Sequence, residues 1–205
     1  MNIIAECGCN WHSLEEAVEM IIKAEDVGCW GVKFQLFSEQ YAEAHHLPRH
    51  LPLPKGSADF LFDCGNDAGI EVFFTPFDVE RVEWCEEIDV NYYKIRFADR
   101  NNKELIDRVD LTDKPFFISS DKSMGYLEGI DLYCVPTYPA NIADYDNEAI
   151  MYFTGISDHT ADLRLLKISK FYGFEWFEKH VKLNDNCLES AWSVTFEELA
   201  EVLQE

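Results

Sequence analysis

Eight short apolar segments, separated by polar or amphipathic stretches, constrain the fold more than any other feature of this chain. Most are rich in β-branched and aromatic residues and apolar almost throughout, which is typical of strands buried on both faces. Eight such strands that alternate with helices predict an α/β fold, a closed (β/α)8 or TIM barrel. The predicted strands are Ile3–Cys7, Gly31–Leu36, Val72–Pro76, Tyr92–Arg96, Phe116–Ser120, Leu132–Pro136, Tyr152–Ser157 and Trp176–Val181.

Helical patterns fill most of the gaps between these segments. The first predicted helix, Ser13–Val27, begins with Ser13 as a cap and Glu16 placed to complete a capping box, and Gly28 ends it. The eleven residues 121–131 include two glycines, so we expect no long helix there. The other predicted helices are Ser57–Ala68, Asp78–Ile88, Lys103–Val109 and Asp162–Tyr172, the last with Leu163, Leu166, Ile168 and Phe171 at roughly helical spacing.

The length places the chain near the lower size limit of such a barrel. With 205 residues, we expect one compact domain over residues 1–205, with one or two helices shortened or replaced by loops. Segment 41–55 contains three histidines and three prolines and is expected to be a long surface loop after the second strand.

Charge and composition exclude several classes of function. The net charge of −22 disfavours nucleic-acid binding, because a phosphate backbone would be repelled. No apolar run reaches membrane-spanning length, and the first residues lack the pattern of an export signal. We therefore expect neither a transmembrane helix nor an export signal. Seven scattered cysteines suggest reduced thiols in the cytoplasm.

Polar residues cluster where the predicted strands end. The active site of a parallel barrel lies at the carboxyl ends of its strands, and alternating residues face the same side. Lys33 and Gln35 can therefore both point inward. The polar residues at these ends are Glu6, Lys33, Gln35, Thr75, Lys94, Arg96, Ser119, Tyr138, Ser157, His159, Glu178 and His180.

His159 and His180 end two consecutive strands, one strand–helix–strand unit apart. That spacing places their imidazoles at neighbouring strand ends on one face. Two neutral imidazoles around one cavity suit a divalent metal with open positions, which we prefer to two separately hydrogen-bonded histidines. Lysines beside such a metal suit a small phosphorylated or carboxylated substrate.

The order and spacing of several short motifs resemble the sialic acid synthase family, which includes N-acetylneuraminate synthase and its legionaminic and pseudaminic relatives. The resemblance implies a barrel enzyme that condenses phosphoenolpyruvate with an N-acylated hexosamine to give a nine-carbon 2-keto acid. It also implies a cofactor, Mn²⁺ or another divalent ion such as Mg²⁺, Co²⁺ or Zn²⁺. The motifs are Ile4-Ala5-Glu6, Val32-Lys33-Phe34-Gln35, Thr75-Pro76-Phe77-Asp78, Tyr93-Lys94-Ile95, Tyr138-Pro139, Ser157-Asp158-His159-Thr160 and Glu178-Lys179-His180.

Roles for individual residues follow from the same resemblance. His159 and His180 would bind the metal. The catalytic residues would be Glu6, Lys94 and Glu178, with Glu6 handling a proton in the attack on the sugar carbonyl. The substrate-binding residues would be Lys33, Gln35, Thr75, Arg96, Ser119, Tyr138, Ser157, Lys179 and Glu189.

Three departures from the family pattern concern the substrate site. Phe97 stands where a serine is expected, and Arg96 beside it could compensate for the lost phosphate contact. Asp121 replaces a glycine and would add negative charge near the phosphate. Glu189 replaces an aspartate that contacts the sugar.

Two alternatives to the synthase therefore remain open. One is a metal-dependent barrel enzyme that acts on another aldehyde or phosphorylated substrate. The other is a barrel that binds a sugar or a protein without turnover. We expect small-molecule substrates, a homodimer, no nucleic-acid or membrane partner, and no C-terminal antifreeze-like domain of the kind many family members carry.

Overall fold

The computed structural model describes residues 1–126 and 129–204, which form nine β-strands and seven α-helices. The strands are β1 Asn2–Glu6, β2 Gly31–Leu36, β3 Glu71–Pro76, β4 Tyr93–Ile95, β5 Phe116–Ser120, β6 Gly129–Cys134, β7 Gly155–Asp158, β8 Trp176–Lys182 and β9 Val194–Thr195. Strands β1 to β8 are parallel, each pairs with the next, and β1 pairs with β8. The predicted (β/α)8 barrel is therefore confirmed, and β9 adds a short parallel extension beside β8.

The helices lie between the strands, largely where their patterns predict them. They are α1 Leu14–Asp26, α2 Glu39–Ala44, α3 Lys55–Ala68, α4 Val79–Ile88, α5 Lys103–Asp110, α6 Arg164–Tyr172 and α7 Phe196–Gln204. Ser13 caps α1 as predicted, because its hydroxyl accepts the Glu16 N–H at 3.3 Å. The Glu16 carboxylate instead accepts the N–H of His12, at 2.7 Å, so no capping box forms. Segment 41–55 is not wholly a loop, because α2 occupies its first residues with Ser38 as cap.

Two connections have no α-helix among their described residues, as the expectation of helices shortened or replaced by loops predicts. No helix lies in residues 121–126, and residues 127 and 128 of that connection lie outside the described residues. The connection from β6 to β7 has the short 3₁₀ turns Ile142–Asp144 and Ala149–Tyr152. The predicted strand Tyr152–Ser157 is wrong at its start, because Tyr152 ends a 3₁₀ turn and is 80% exposed.

The bounds of one strand are corrected, and one predicted helix is confirmed with part of its apolar side exposed. Strand β6 begins three residues earlier than predicted and ends at Cys134, so Pro136 lies beyond it. Helix α6 buries Leu165, Leu166 and Ser169, which share one helical face. The predicted helix is thus confirmed, although Ile168 and Phe171 lie on its opposite side, 43% and 85% exposed.

Inward-facing residues fill the barrel in two layers of different chemistry. The lower layer is an apolar cluster of Ile4, Phe73, Phe117, Leu132 and Trp176, with Trp30 packed 4.7 Å from Trp176 between ring centroids. Two residues further along the same strands stand Glu6, Thr75, Ser119, Cys134 and Glu178. Because strand side chains alternate with a period of two, the strands that fill the lower barrel also carry polar groups to its mouth.

Candidate active site

A cavity of about 420 Å³ opens at the carboxyl ends of the barrel strands. Residues from the strand ends and the loops that follow them line it, and together they bring carboxylates, ammonium groups and imidazoles into one space. The lining includes twelve of the residues predicted for the site: Glu6, Lys33, Gln35, Lys94, Arg96, Ser119, Tyr138, Ser157, His159, Glu178, His180 and Glu189.

Two predicted substrate-binding residues lie elsewhere. Thr75 is buried behind the lining, where its hydroxyl accepts from the Lys33 ammonium at 3.0 Å. Lys179 faces away from the barrel interior, because both of its chain neighbours face in. Its ammonium donates to Asp158 at 3.0 Å and to the Thr160 carbonyl. The expectation that Lys179 contacts substrate is therefore corrected: it ties β8 to the end of β7.

Two buried ion pairs form the floor of the cavity. The Lys94 ammonium donates to both carboxylate oxygens of Glu178 at 3.0 Å and to the Ser119 hydroxyl at 2.6 Å. Lys33 contacts Glu6 and lies 3.8 Å from Glu178. Since an unpaired charge is costly to bury, this pairing is what allows two ammonium groups to stand inside the barrel.

The surroundings separate the acidities of these groups. Burial opposes ionisation of Glu178, but Lys33 and Lys94 outweigh it and hold the pKa of that carboxyl well below its ordinary range. Burial acts to lower the pKa of both lysines, and the nearby carboxylates act against it. The carboxylates of Glu178 and Glu6 nevertheless raise the pKa of Lys33 above its usual value, whereas the pKa of Lys94 stays below it. Lys94 therefore gives up its proton more readily than Lys33.

His159 and His180 face the same cavity, with ring centroids 5.4 Å apart. The Nδ1 atom of His159 lies 2.9 Å from the Val135 carbonyl oxygen, and Nδ1 of His180 lies 3.1 Å from Oε2 of Glu189. A carbonyl oxygen only accepts, so His159 must donate from Nδ1, which leaves the Nε2 lone pair free. Burial, reinforced by His180, lowers the pKa of His159 to about 3, so this ring is neutral.

These two histidines fit a divalent metal by their donor chemistry. A metal-binding histidine usually donates its other ring N–H to a carbonyl or carboxylate, and both rings have such a partner. No group of three or more histidine, cysteine, aspartate or glutamate side chains among the described residues forms a metal-binding cluster. The chain would therefore supply two imidazoles, and water or substrate oxygens would complete the coordination.

Four lining residues were not anticipated as site residues: Phe77, Ala98, Cys134 and Trp192. Cys134 could have been found from the sequence, since it is in phase with Leu132 at the end of β6. Trp192 could not, because it lies in the 3₁₀ turn Ser190–Trp192, beyond a loop that returns to the barrel mouth. Its ring packs 5.4 Å from Tyr138 between centroids.

The residues around Phe97 differ from the sequence-based expectation. Arg96 is held by Asp99 and by the Tyr41 hydroxyl at 2.9 Å, with its guanidinium 3.6 Å from the centre of the Phe77 ring. Asp121 does not line the cavity among the described residues, and its carboxylate pairs with Arg100 at 3.3 Å. The added negative charge that Asp121 was expected to bring is therefore balanced outside the site.

The fold and the site together define a (β/α)8 barrel with a polar, doubly ion-paired cavity at the carboxyl ends of its strands. The profile of the NeuB family matches residues 20–126, more than half of the chain. The chain belongs to the NeuB family.

Individual relatives are distant and mostly longer. The chain is 26% identical to an uncharacterised protein of Methanocaldococcus jannaschii, over 90% of this chain and 63% of that protein. It is 25% identical to the pseudaminic acid synthase of Helicobacter pylori, over 66% of this chain and 47% of the relative. Human N-acetylneuraminate-9-phosphate synthase is 24% identical, over 98% of this chain and 68% of the human protein. The chain thus spans less than two thirds of the length of the first two relatives.

Solved structures agree on the fold. A sialic acid synthetase from Leptospira borgpetersenii, determined with citrate, superposes with a TM-score of 0.88 at 27% identity, over 98% of this chain and 81% of that one. A truncated 3-deoxy-D-arabino-heptulosonate 7-phosphate synthase from Thermotoga maritima superposes with a TM-score of 0.77 at 13% identity. The match covers 100% of this chain and 84% of that one, and shows a shared fold. Within the described residues, no helix is both long and apolar enough to cross a bilayer.

Proposed function

We propose that this chain condenses phosphoenolpyruvate with an N-acylated hexosamine to form a nonulosonic acid of the sialic type. A carbon–carbon bond forms between C3 of phosphoenolpyruvate and the sugar aldehyde carbon, water supplies the oxygen at C2, and inorganic phosphate leaves. The observation that carries the proposal is the convergence of Lys33, Lys94, His159 and His180 on one cavity. Membership of the NeuB family and the named synthases among the relatives support it.

Phosphoenolpyruvate would bind along the floor of the cavity. Lys33 and Lys94 supply its positive charges, and Ser119, whose oxygen accepts from Lys94, supplies a hydroxyl donor. Ser157 donates to Glu178 at 2.8 Å, so the carboxylate holds both an ammonium and a hydroxyl in place before substrate arrives. Preorganised donors of this kind need little rearrangement in the transition state.

Glu6 is the candidate for proton transfer at the sugar carbonyl oxygen. Its carboxylate contacts Lys33 and accepts from the Gln35 amide at 3.0 Å, which fixes its orientation at the mouth of β1. Gln35 and Tyr138 would face the sugar, and Tyr138 is half exposed at the rim with its ring 4.1 Å from that of His159.

His159 and His180 would hold a divalent ion, Mn²⁺ first and Mg²⁺, Co²⁺ or Zn²⁺ as alternatives. When bound, such an ion polarises an aldehyde oxygen and orients the reactants. The neutral state of His159 supports this assignment, because only an unprotonated imidazole binds metal.

The experiment is a coupled assay for phosphate release from phosphoenolpyruvate with Mn²⁺ and a panel of N-acylated hexosamines, with mass spectrometry of the nine-carbon product. Lys94→Met should abolish release, whereas Lys103→Met, at an exposed lysine that pairs with Asp107, should not change it. Absence of phosphate release from the parent with every acceptor would refute the proposed reaction.

One observation favours a second candidate, condensation with a different aldehyde. Phe97 lines the cavity where a serine is expected, and Ala98 lines it next to Phe97, so part of the wall is apolar. Phosphate release with a shorter aldehyde, and none with hexosamines, would select this candidate. We further propose a cytoplasmic location, which is supported by seven free cysteines among the described residues.

A further inference from the structure

The carboxylate of Glu189 lines the cavity and is held against His180. Its Oε2 atom lies 3.1 Å from Nδ1 of His180 and accepts the backbone N–H of Cys9, also at 3.1 Å. The Glu189 side chain is 13% exposed. Two of the directions in which this carboxylate can accept hydrogen bonds are thus used within the protein, which leaves less of it for a substrate hydroxyl.

The loop after β1 is shaped to receive this carboxylate. Gly8 has a φ of +45°, and a Cβ at this position would lie 2.1 Å from Oε2 of Glu189. Asn10 ties the two loops together: its side-chain oxygen accepts the Glu189 N–H at 2.9 Å, and its amide donates to the Val181 carbonyl and the Ser193 hydroxyl, both at 2.8 Å. Only glycine leaves room for the carboxylate in this arrangement.

The consequence falls on the tautomer of His180. A carboxylate accepts hydrogen bonds but does not donate them, so in the neutral ring the pair requires the proton on Nδ1 and leaves the Nε2 lone pair free. His159 reaches the same state through the Val135 carbonyl. The two imidazoles are therefore held in the same tautomer by different acceptors, one from the backbone and one from a side chain.

We propose that Glu189 is a positioning residue for His180, and that Gly8 is required because it admits the Glu189 carboxylate. The proposal rests on the proposed metal site of His159 and His180. Partners of this kind typically contribute 10–100-fold to metal affinity, by fixing the tautomer and ring orientation. Sequence comparison alone would have assigned Glu189 to the sugar.

The test combines calorimetric titration of Mn²⁺ with ¹⁵N NMR of the histidine side chains in the metal-free protein. Glu189→Ala and Gly8→Ala should each weaken Mn²⁺ binding by about 10–100-fold. In the same variants the His180 signals should shift from the Nδ1–H tautomer toward a mixture. Glu189→Gln, whose amide oxygen can still accept, should retain the tautomer and lose less affinity.

Two controls separate this role from a general loss of structure. Gly28 also has a positive φ, +82°, but a Cβ added there would meet no atom within 4 Å, so Gly28→Ala imposes backbone strain without displacing a carboxylate. Glu197→Gln removes an exposed carboxylate paired with Lys23. Both should leave the Mn²⁺ affinity and the His180 tautomer as in the parent.

The outcomes distinguish the two proposals. If the folded Glu189→Ala variant keeps the parental tautomer and Mn²⁺ affinity, the positioning role is overturned while the metal site stands. If the parent binds neither Mn²⁺ nor any of Mg²⁺, Co²⁺ and Zn²⁺, the metal site is overturned. In that case the tautomer shift alone decides whether Glu189 orients His180.

Discussion

Replacing Glu178 by glutamine should destabilise the protein more than any substitution at the rim of the cavity. Glu178 is 5% exposed and binds the Lys94 ammonium through both oxygens at 3.0 Å, with Lys33 3.8 Å away. Glutamine keeps the shape but removes the charge. Lys94, 1% exposed, would then retain Ser119 as its close polar partner, and its positive charge would be uncompensated.

The magnitude follows from the cost of an unpaired buried charge. Removing one member of a buried ion pair costs about 3–5 kcal/mol. At about 2–4 °C per kcal/mol for a chain of this size, Glu178→Gln should lower Tm by roughly 6–20 °C. Burial already lowers the pKa of Lys94, so the loss should shrink at high pH, where that ammonium can release its proton.

The assay is urea unfolding of the parent, Glu178→Gln, Lys94→Met and the double variant, analysed as a double-mutant cycle. The double variant should lose about 2–3 kcal/mol less stability than the sum of the losses of the two single variants, because no uncompensated charge from this pair remains. Glu197→Gln, at an exposed position, should stay within about 0.5 kcal/mol of the parent. Additive losses in the cycle would refute the coupling on which the proposed floor of the site depends.

Further predictions concern pH, the wall of the cavity and the outward-facing lysine. The pKa of His159 falls to about 3 in the folded state, so as the pH drops below about 6.5 the unfolded chain binds a proton that the folded protein does not. The free energy of unfolding should therefore fall by about 1.4 kcal/mol per pH unit from about pH 6.5 toward pH 3. In urea titrations of the metal-free protein, His159→Gln should remove this pH dependence. In calorimetry with Mn²⁺, Phe97→Ser should strengthen phosphoenolpyruvate binding by up to about tenfold, and Asp121→Gly should not change it. Lys179→Met should cost about 3–5 kcal/mol of stability, because it leaves the buried Asp158 carboxylate without its ion-pair partner. The affinity of the folded variant for phosphoenolpyruvate should not change, and a weaker affinity would show that Lys179 does contact this substrate.

Most of the barrel could be predicted because its information is local. Strands buried on both faces have a distinctive apolar composition, and their alternation identifies the inward-facing residues, as Lys33 and Gln35 illustrate. The same rule places Lys179 outside, between two inward-facing neighbours, so its assignment to the substrate was avoidable. The predicted strand start at Tyr152 is wrong, because an apolar side chain does not by itself reveal whether anything covers it.

The sequence by itself therefore determined the fold class, the strand order and the polar residues at the barrel mouth, since these follow from periodicity and the geometry of parallel strands. Only the tertiary structure decided which charges meet. Glu189 is nine residues from His180 along the chain, and Gly8 is on the first strand's loop, yet closure of β8 onto β1 brings all three together. Trp192 reaches the cavity in the same way. Contacts between distant segments depend on the detailed positions that the loops take once the barrel is closed, which no local pattern encodes.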